Sequence, residues 1–148
     1  FELSKMPLNS PYSIRIYKDN ILISFQKPFT ILKTDFDGNI IDFTFGNFQD
    51  GLELDGSSFN NLQTIDFDNN YFIYAIDTFN KRIVVLDENL NMLLSLNFPP
   101  AANWRGLKIN KLNNNLYITG FKEGLEPTES QTGFWIFEGI NIHEYLYN

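Results

Sequence analysis

The side chains that most often carry enzyme chemistry are scarce in this 148-residue chain. Its sequence contains one histidine, His143, and no cysteine. A zinc or copper site made of several histidines or thiolates is therefore excluded, and disulfides are excluded as well. A serine triad would have to use His143, and no G-x-S-x-G turn presents a serine to it. We therefore assign no catalytic residue, metal site or cofactor.

Carboxylates stand close together at two places where they could do chemistry. The segment Asp35–Asn39, DFDGN, looks like part of a calcium loop, but the downstream glutamate and the flanking helices of an EF-hand are missing. Its Asp-Gly step between two apolar runs favours a hairpin turn. Asp77 with Asn80 and Arg82 could form a polar site or brace its own loop. We favour bracing, because a buried charge has to be paired.

Composition and charge narrow the class of protein. Hydrophobic residues make up 43% of the chain and aromatic residues 16%, which predicts a folded domain with much pleated, half-buried surface. The formal net charge is -7, and such a charge repels a phosphate backbone, so we expect no nucleic-acid partner. No apolar run reaches the length of a membrane span.

The elements that position these residues are predicted to be short strands. Between Asn61 and Phe98 the sequence has four apolar runs, each too short for a stable helix, with polar breaks between them. This pattern predicts antiparallel strands joined by hairpins. Comparable sets of runs come before and after this stretch. The predicted strands are Tyr12–Tyr17, Ile21–Phe25, Phe29–Phe36, Asn39–Phe45, Leu62–Phe67, Tyr71–Ile76, Arg82–Leu86, Met92–Phe98, Gly106–Leu112, Leu116–Phe121, Gly133–Phe137 and Ile142–Tyr147.

The three sets are similar to one another, and this predicts a repeat architecture. Ile14, Ile65 and Leu107 hold equivalent positions in the first strands of the sets. Four strands in about 40 residues is the size of one β-propeller blade. We therefore predict an all-β chain, 1–148, that forms one propeller segment of three four-stranded blades at about residues 9–48, 60–98 and 104–148.

The central blade resembles an NHL-type propeller repeat. The matching residues are Asp68-Asn69-Asn70, Ile73–Asp77 and Asn80–Asp87; the first blade lacks the Asp and Arg of the motif, and the third has Gly120 in place of Asp77. The wider pattern is similar to six-bladed propellers of Bacteroidetes surface proteins. The resemblance implies a six-bladed ring, an extracytoplasmic location and an interaction platform more often than an enzyme. NHL-related lyases bind metal through several histidines, which this chain lacks.

Loop lengths suggest where a ligand would bind. In a propeller, the loops from the second to the third strand and the links between blades share one face, and here these are the long connections. We expect a non-catalytic platform that binds a protein, peptide or glycan there. The alternatives are a propeller hydrolase or lyase with its site at the channel mouth, and a purely structural assembly component. The predicted binding residues are Lys27, Phe29, Asp55, Phe79, Lys81, Trp104, Arg105 and Glu126.

Trp104 has two interpretations at this point. As an exposed anchor it would bind ligand, and changing Trp104 and Lys81 to Ala would weaken binding while the melting temperature stays roughly constant. As a core residue it would pack between blades.

Three blades cannot close a propeller ring, so the outward faces of the first and last blades would be bare. We expect those faces to carry Ile14, Ile23, Tyr117 and Trp135, and we expect something to cover them. The cover could be the remaining blades of a longer chain, a second copy or another protein. The start at Phe1 favours the first of these.

Overall fold

The computed structural model describes residues 8–27, 29–44, 59–98, 102–122 and 131–139, and these residues form strands and turns without a helix. No described helix is therefore long and apolar enough to span a membrane. The strands are β1 Asn9–Tyr17, β2 Asn20–Lys27, β3 Phe29–Thr34, β4 Ile40–Phe43, β5 Leu62–Phe67, β6 Ile73–Asp77, β7 Arg82–Leu86, β8 Met92–Asn97, β9 Ala102–Asn110, β10 Asn115–Lys122 and β11 Gln131–Phe137.

The strands form three antiparallel sheets in chain order. Sheet 1 runs β1-β2-β3-β4, sheet 2 runs β5-β6-β7-β8, and sheet 3 runs β9-β10-β11. The prediction of an all-β chain built from antiparallel hairpins is confirmed. The predicted twelfth strand, Ile142–Tyr147, lies outside the described residues. Strand β9 begins at Ala102 rather than at the predicted Gly106, so Trp104 and Arg105 belong to a strand and not to a loop.

Sheet 2 lies between the other two, because both of its faces are apolar. Along β6, Ile73 and Ala75 face sheet 1, whereas Tyr74 and Ile76 face sheet 3. The core between sheets 1 and 2 contains Tyr17, Leu22, Ile31, Phe59, Leu62, Ile65, Ile73, Ala75, Val84, Leu86 and Leu90. The core between sheets 2 and 3 contains Tyr74, Ile76, Ile83, Val85, Phe98, Ala102, Trp104, Leu107, Ile109, Leu116 and Ile118. The sheets form an open stack and do not close into a barrel.

The first strand of each sheet lies at a sheet edge, and these three edges lie side by side with β5 between β1 and β9. We call β1, β5 and β9 the inner strands. Hydroxyl groups join them: the amide of Ile65 donates to Ser13 Oγ at 3.2 Å, and the amide of Leu107 donates to Thr64 Oγ1 at 2.9 Å. Ser13 and Thr64 immediately precede the equivalent residues Ile14 and Ile65, so the same link recurs between successive sheets.

An irregularity of the same kind recurs in every inner strand. The pairing register shifts between Pro11 and Ser13 in β1, between Leu62 and Ile65 in β5, and around Arg105 in β9. A β-bulge bends its strand and is a specific feature rather than a defect. Its recurrence at one equivalent position supports the prediction that the sheets are copies of one unit.

The turns that close the β3–β4 and β7–β8 hairpins are also copies of each other. Asp35 Oδ1 accepts the amides of Asp37 at 2.9 Å and Asn39 at 2.8 Å. In the same way, Asp87 Oδ1 accepts the amides of Asn89 and Asn91, both at 2.9 Å. The side chain of Asn39 donates to Asp35 and lowers the pKa of that carboxyl. The Asp35–Asn39 segment is therefore a hairpin turn, as predicted.

Candidate functional site

The connections predicted to share one face do meet where they are described. In the β6–β7 turn, the amide of Phe79 donates to Asn60 O at 3.1 Å, just before β5. Thr78 Oγ1 donates to Trp104 O at 3.0 Å, near the start of β9. We call this end of the sheets the long-loop end. Phe79 is 57% exposed there although its backbone amide is held by that hydrogen bond, and Lys81 is exposed beside it.

Asp77 braces the long-loop end, as the sequence suggested. Its buried carboxylate accepts the amide of Asn60 at 2.7 Å through Oδ1. Through Oδ2 it accepts Asn80 Nδ2 and Arg82 Nε, each at 2.8 Å. Burial raises the pKa of Asp77, and the hydrogen bonds from Asn80, Asn60 and Arg82 oppose that rise. All of these contacts are internal to the turn and its neighbours.

The remaining predicted binding residues other than Trp104 occupy different environments where the structure describes them. Lys27 ends β2, and Phe29 is half-buried at the start of β3. Asp55 and Glu126 lie outside the described residues. Arg105 is the extra residue of the β9 bulge and is half-buried. Lys81 reaches the β9 start through a hydrogen bond from Nζ to Ala102 O at 3.5 Å. The binding role of this set stays a prediction.

Trp104 belongs to the core. Its side chain is only 1% exposed, and its ring centroid lies 4.3 Å from that of Phe98 and 5.9 Å from that of Trp135. Trp104 is therefore a core residue that packs between sheets 2 and 3, which is the second of its two interpretations. Because Trp104→Ala removes a large buried side chain, we expect this substitution to lower the melting temperature rather than leave it constant.

A cluster of charges that the sequence analysis did not identify lies where the inner strands meet. The carboxylate of Asp66, on β5, is fully buried. Three cations surround it: Arg15 Nε at 3.4 Å from Oδ1, Lys108 Nζ at 3.1 Å from Oδ2 and Lys111 Nζ at 3.3 Å from Oδ1. The amide of Ile109 also donates to Oδ2 at 2.8 Å. We call Arg15, Asp66, Lys108 and Lys111 the inner-strand charge cluster.

The protonation of Asp66 follows from these neighbours. Burial by itself would raise the pKa of this carboxyl. The amide of Ile109 and the ammonium groups of Lys111 and Lys108 outweigh burial and hold the pKa below its ordinary value. Burial lowers the pKa of Lys111, and Asp66 opposes that change. Asp66 therefore remains a carboxylate at neutral pH.

The repeat alignment contains the signal for this cluster. Arg15, Asp66 and Lys108 each follow directly after the equivalent residues Ile14, Ile65 and Leu107. Because the inner strands lie side by side, equivalent positions become neighbours.

The outward faces of sheets 1 and 3 are apolar and exposed. On β1, Ile14 is 59% exposed and Ile16 is exposed beside it; on β11, Phe134 is 60% exposed and Ile136 is exposed. The predicted bare face of β1 is therefore present. Trp135 was placed on the wrong face, because alternation along β11 turns it inward against the core while its two neighbours point outward.

Comparison with known proteins adds a likeness of fold. No known protein family and no curated protein matches the sequence. The structure is similar to a solved protein of unknown function from Bacteroides caccae, with a TM-score of 0.50 and 14% sequence identity. The match covers 83% of this chain and 45% of that protein, so the chain spans less than half the length of this neighbour.

Proposed function

We propose that the chain is a non-catalytic binding module formed from three blades of an NHL-like β-propeller. The observation that carries this proposal is the repeated contact between inner strands, in which Ser13 and Thr64 accept the amides of the next sheet at equivalent positions. In a propeller the first strands of successive blades lie side by side around one axis, so a link of this kind suits that architecture. The repeated bulges support it further.

The ligand of this module is a protein, peptide or glycan, bound at the long-loop end. Phe79 supports this choice, because an exposed aromatic ring on a backbone held by a hydrogen bond provides contact area at little entropic cost. Lys81 lies two residues away and supplies a cation. Trp104 lies beneath this surface and supports it from the core, since the carbonyl of Trp104 holds the Thr78 hydroxyl.

A binding screen with peptide and glycan arrays tests this function on the 148-residue chain. Phe79→Ser should weaken binding of a captured ligand by about tenfold or more while the melting temperature stays constant. The matched control is Leu112→Ser, since Leu112 is a 93% exposed apolar residue in the β9–β10 turn at the other end. If Leu112→Ser abolishes binding and Phe79→Ser does not, the ligand binds at the short-turn end instead.

A structural assembly role is the second candidate, and the exposed faces of sheets 1 and 3 favour it. Contiguous apolar faces of this kind mark surfaces that are covered by another protein chain. Further β-sheets, from a second copy or from another protein, would bury Ile14 and Ile16 on one side and Phe134 and Ile136 on the other. Replacing Ile14 and Ile16 by Thr keeps strand propensity and should reduce association, whereas the same change at a buried pair would unfold the chain.

A further inference from the structure

We propose that the inner-strand charge cluster is a binding site for an oxyanion of the phosphate or sulfate class. Arg15, Lys108 and Lys111 supply the donors, and Asp66 holds those three side chains together. This site lies where β5 ends and the β5–β6 and β9–β10 turns begin, away from the long-loop end. It therefore does not depend on a ligand binding at Phe79 or Lys81.

The first argument is charge. One buried carboxylate, Asp66, faces three cations. The charge of Asp68 also raises the pKa of Lys111. The Asp68 carboxylate is used elsewhere, because Oδ1 accepts two backbone amides and Oδ2 accepts the Tyr74 hydroxyl. Within the described residues Asp68 makes no ion pair with the cluster. Even with Asp68 included the group keeps an excess of positive charge, on a chain whose formal net charge is -7. An anion offsets such a local excess.

The second argument is unused donor capacity. Arg15 Nε is buried near Asp66 but makes no hydrogen bond to any described residue. A buried donor without a partner is costly and suggests a bound group. Lys108 is 65% exposed, so its ammonium keeps donors directed to solvent while one side faces Asp66. Donors from separate strands suit an anion with several oxygens better than a spherical halide ion.

The third argument is positioning. The ammonium of Lys111 lies 3.6 Å from the centroid of the Phe67 ring, which fixes it over β5. Arg15 Nη1 donates to the carbonyl of Ile14 at 2.7 Å, which fixes the guanidinium at β1. Two of the three cations are thus oriented by contacts other than Asp66. A site whose side chains are held in advance loses less entropy on binding.

Calorimetric titration of the full 148-residue chain with inorganic phosphate and with sulfate, at constant ionic strength, tests the proposal. Acetate and chloride serve as reference anions. We expect saturable binding of phosphate or sulfate, with Lys108→Gln weakening it about tenfold because one charged donor is removed. The matched control is Lys33→Gln, which removes an equal charge from a lysine bound to Glu88 O at 2.8 Å in another part of the structure. If Lys108→Gln and Lys33→Gln weaken oxyanion binding equally, the effect comes from the net charge of the protein and the proposed site is wrong.

Asp66→Asn supplies an independent result with the opposite sign. The amide keeps the shape of the side chain and one acceptor oxygen, so it still positions the cations but no longer competes for them with a charge. Oxyanion binding should therefore tighten about tenfold, although the protein becomes less stable, and unchanged or weaker binding would count against the site. Lys108→Arg, which restores the charge, should bind like the unaltered chain. Failure of the unaltered chain to show saturable binding up to about 100 mM phosphate or sulfate would overturn the proposal, whatever the peptide and glycan screen finds.

Discussion

The hydroxyl link between sheets 2 and 3 can be removed by the substitution Thr64→Val, which preserves the size and β-branching of the side chain. The change deletes the acceptor that holds the Leu107 amide at 2.9 Å. Leu107 lies on β9, whose only described strand partner is β10, and its amide is directed at Thr64.

The magnitude follows from the burial of this amide. A buried donor left unpaired costs about 1–3 kcal/mol, and the Leu107–Thr64 contact is only partly buried, so we expect the lower part of that range, about 1–2 kcal/mol. For a domain of this size, such a loss lowers the melting temperature by about 2–8 °C. The loss should appear in the midpoint of urea unfolding without a change in its slope.

The matched control is Thr119→Val, because Thr119 is an exposed threonine on β10 and the same atoms change. Its cost should stay within about 0.5 kcal/mol. Hydrogen exchange provides a local readout, since the Leu107 amide should lose protection in Thr64→Val alone. If the two variants are equally stable and Leu107 stays protected, the hydroxyl link does not hold the sheets together.

Two further predictions concern buried side chains. Trp104→Ala should destabilise the chain by about 3–5 kcal/mol in urea unfolding, because the indole is 1% exposed, whereas an exposed anchor would cost almost nothing. Asp66 has a lowered pKa in the folded state, so its contribution to stability is complete above the ordinary value of 3.8 and is lost as the pH falls through the lower folded value. Stability measured between about pH 5 and pH 2 should therefore fall less steeply in Asp66→Asn than in the unaltered chain, and equal slopes would contradict this assignment.

The hairpins could be predicted from sequence because local chemistry determines them. The bounds of β5 and β7 agree with the predicted Leu62–Phe67 and Arg82–Leu86, since each is a short run rich in apolar residues that ends at a polar turn. The start of β9 could not be predicted in the same way. Its bulge at Arg105 interrupts the alternation, so the strand appeared to begin only after it.

The inner-strand charge cluster could not be predicted from any single stretch of sequence. Arg15 and Lys108 are far apart in the chain, and only the side-by-side arrangement of inner strands brings both to Asp66. Trp135 shows the complementary difficulty. A shift of one residue in the assumed alternation moves a side chain to the opposite face of a sheet. The repeat alignment alone did not determine which alternate residues of β11 face the core.

Multi-angle light scattering on the 148-residue chain tests most directly whether the three sheets form an open stack with two apolar ends. We predict species heavier than one chain, because Ile14 and Ile16 at one end and Phe134 and Ile136 at the other are exposed. Replacing Ile14 and Ile16 by Thr should shift the distribution toward the mass of one chain. A monodisperse single chain that melts in one sharp transition, with its apolar ends unaltered, would contradict the need for a covering partner.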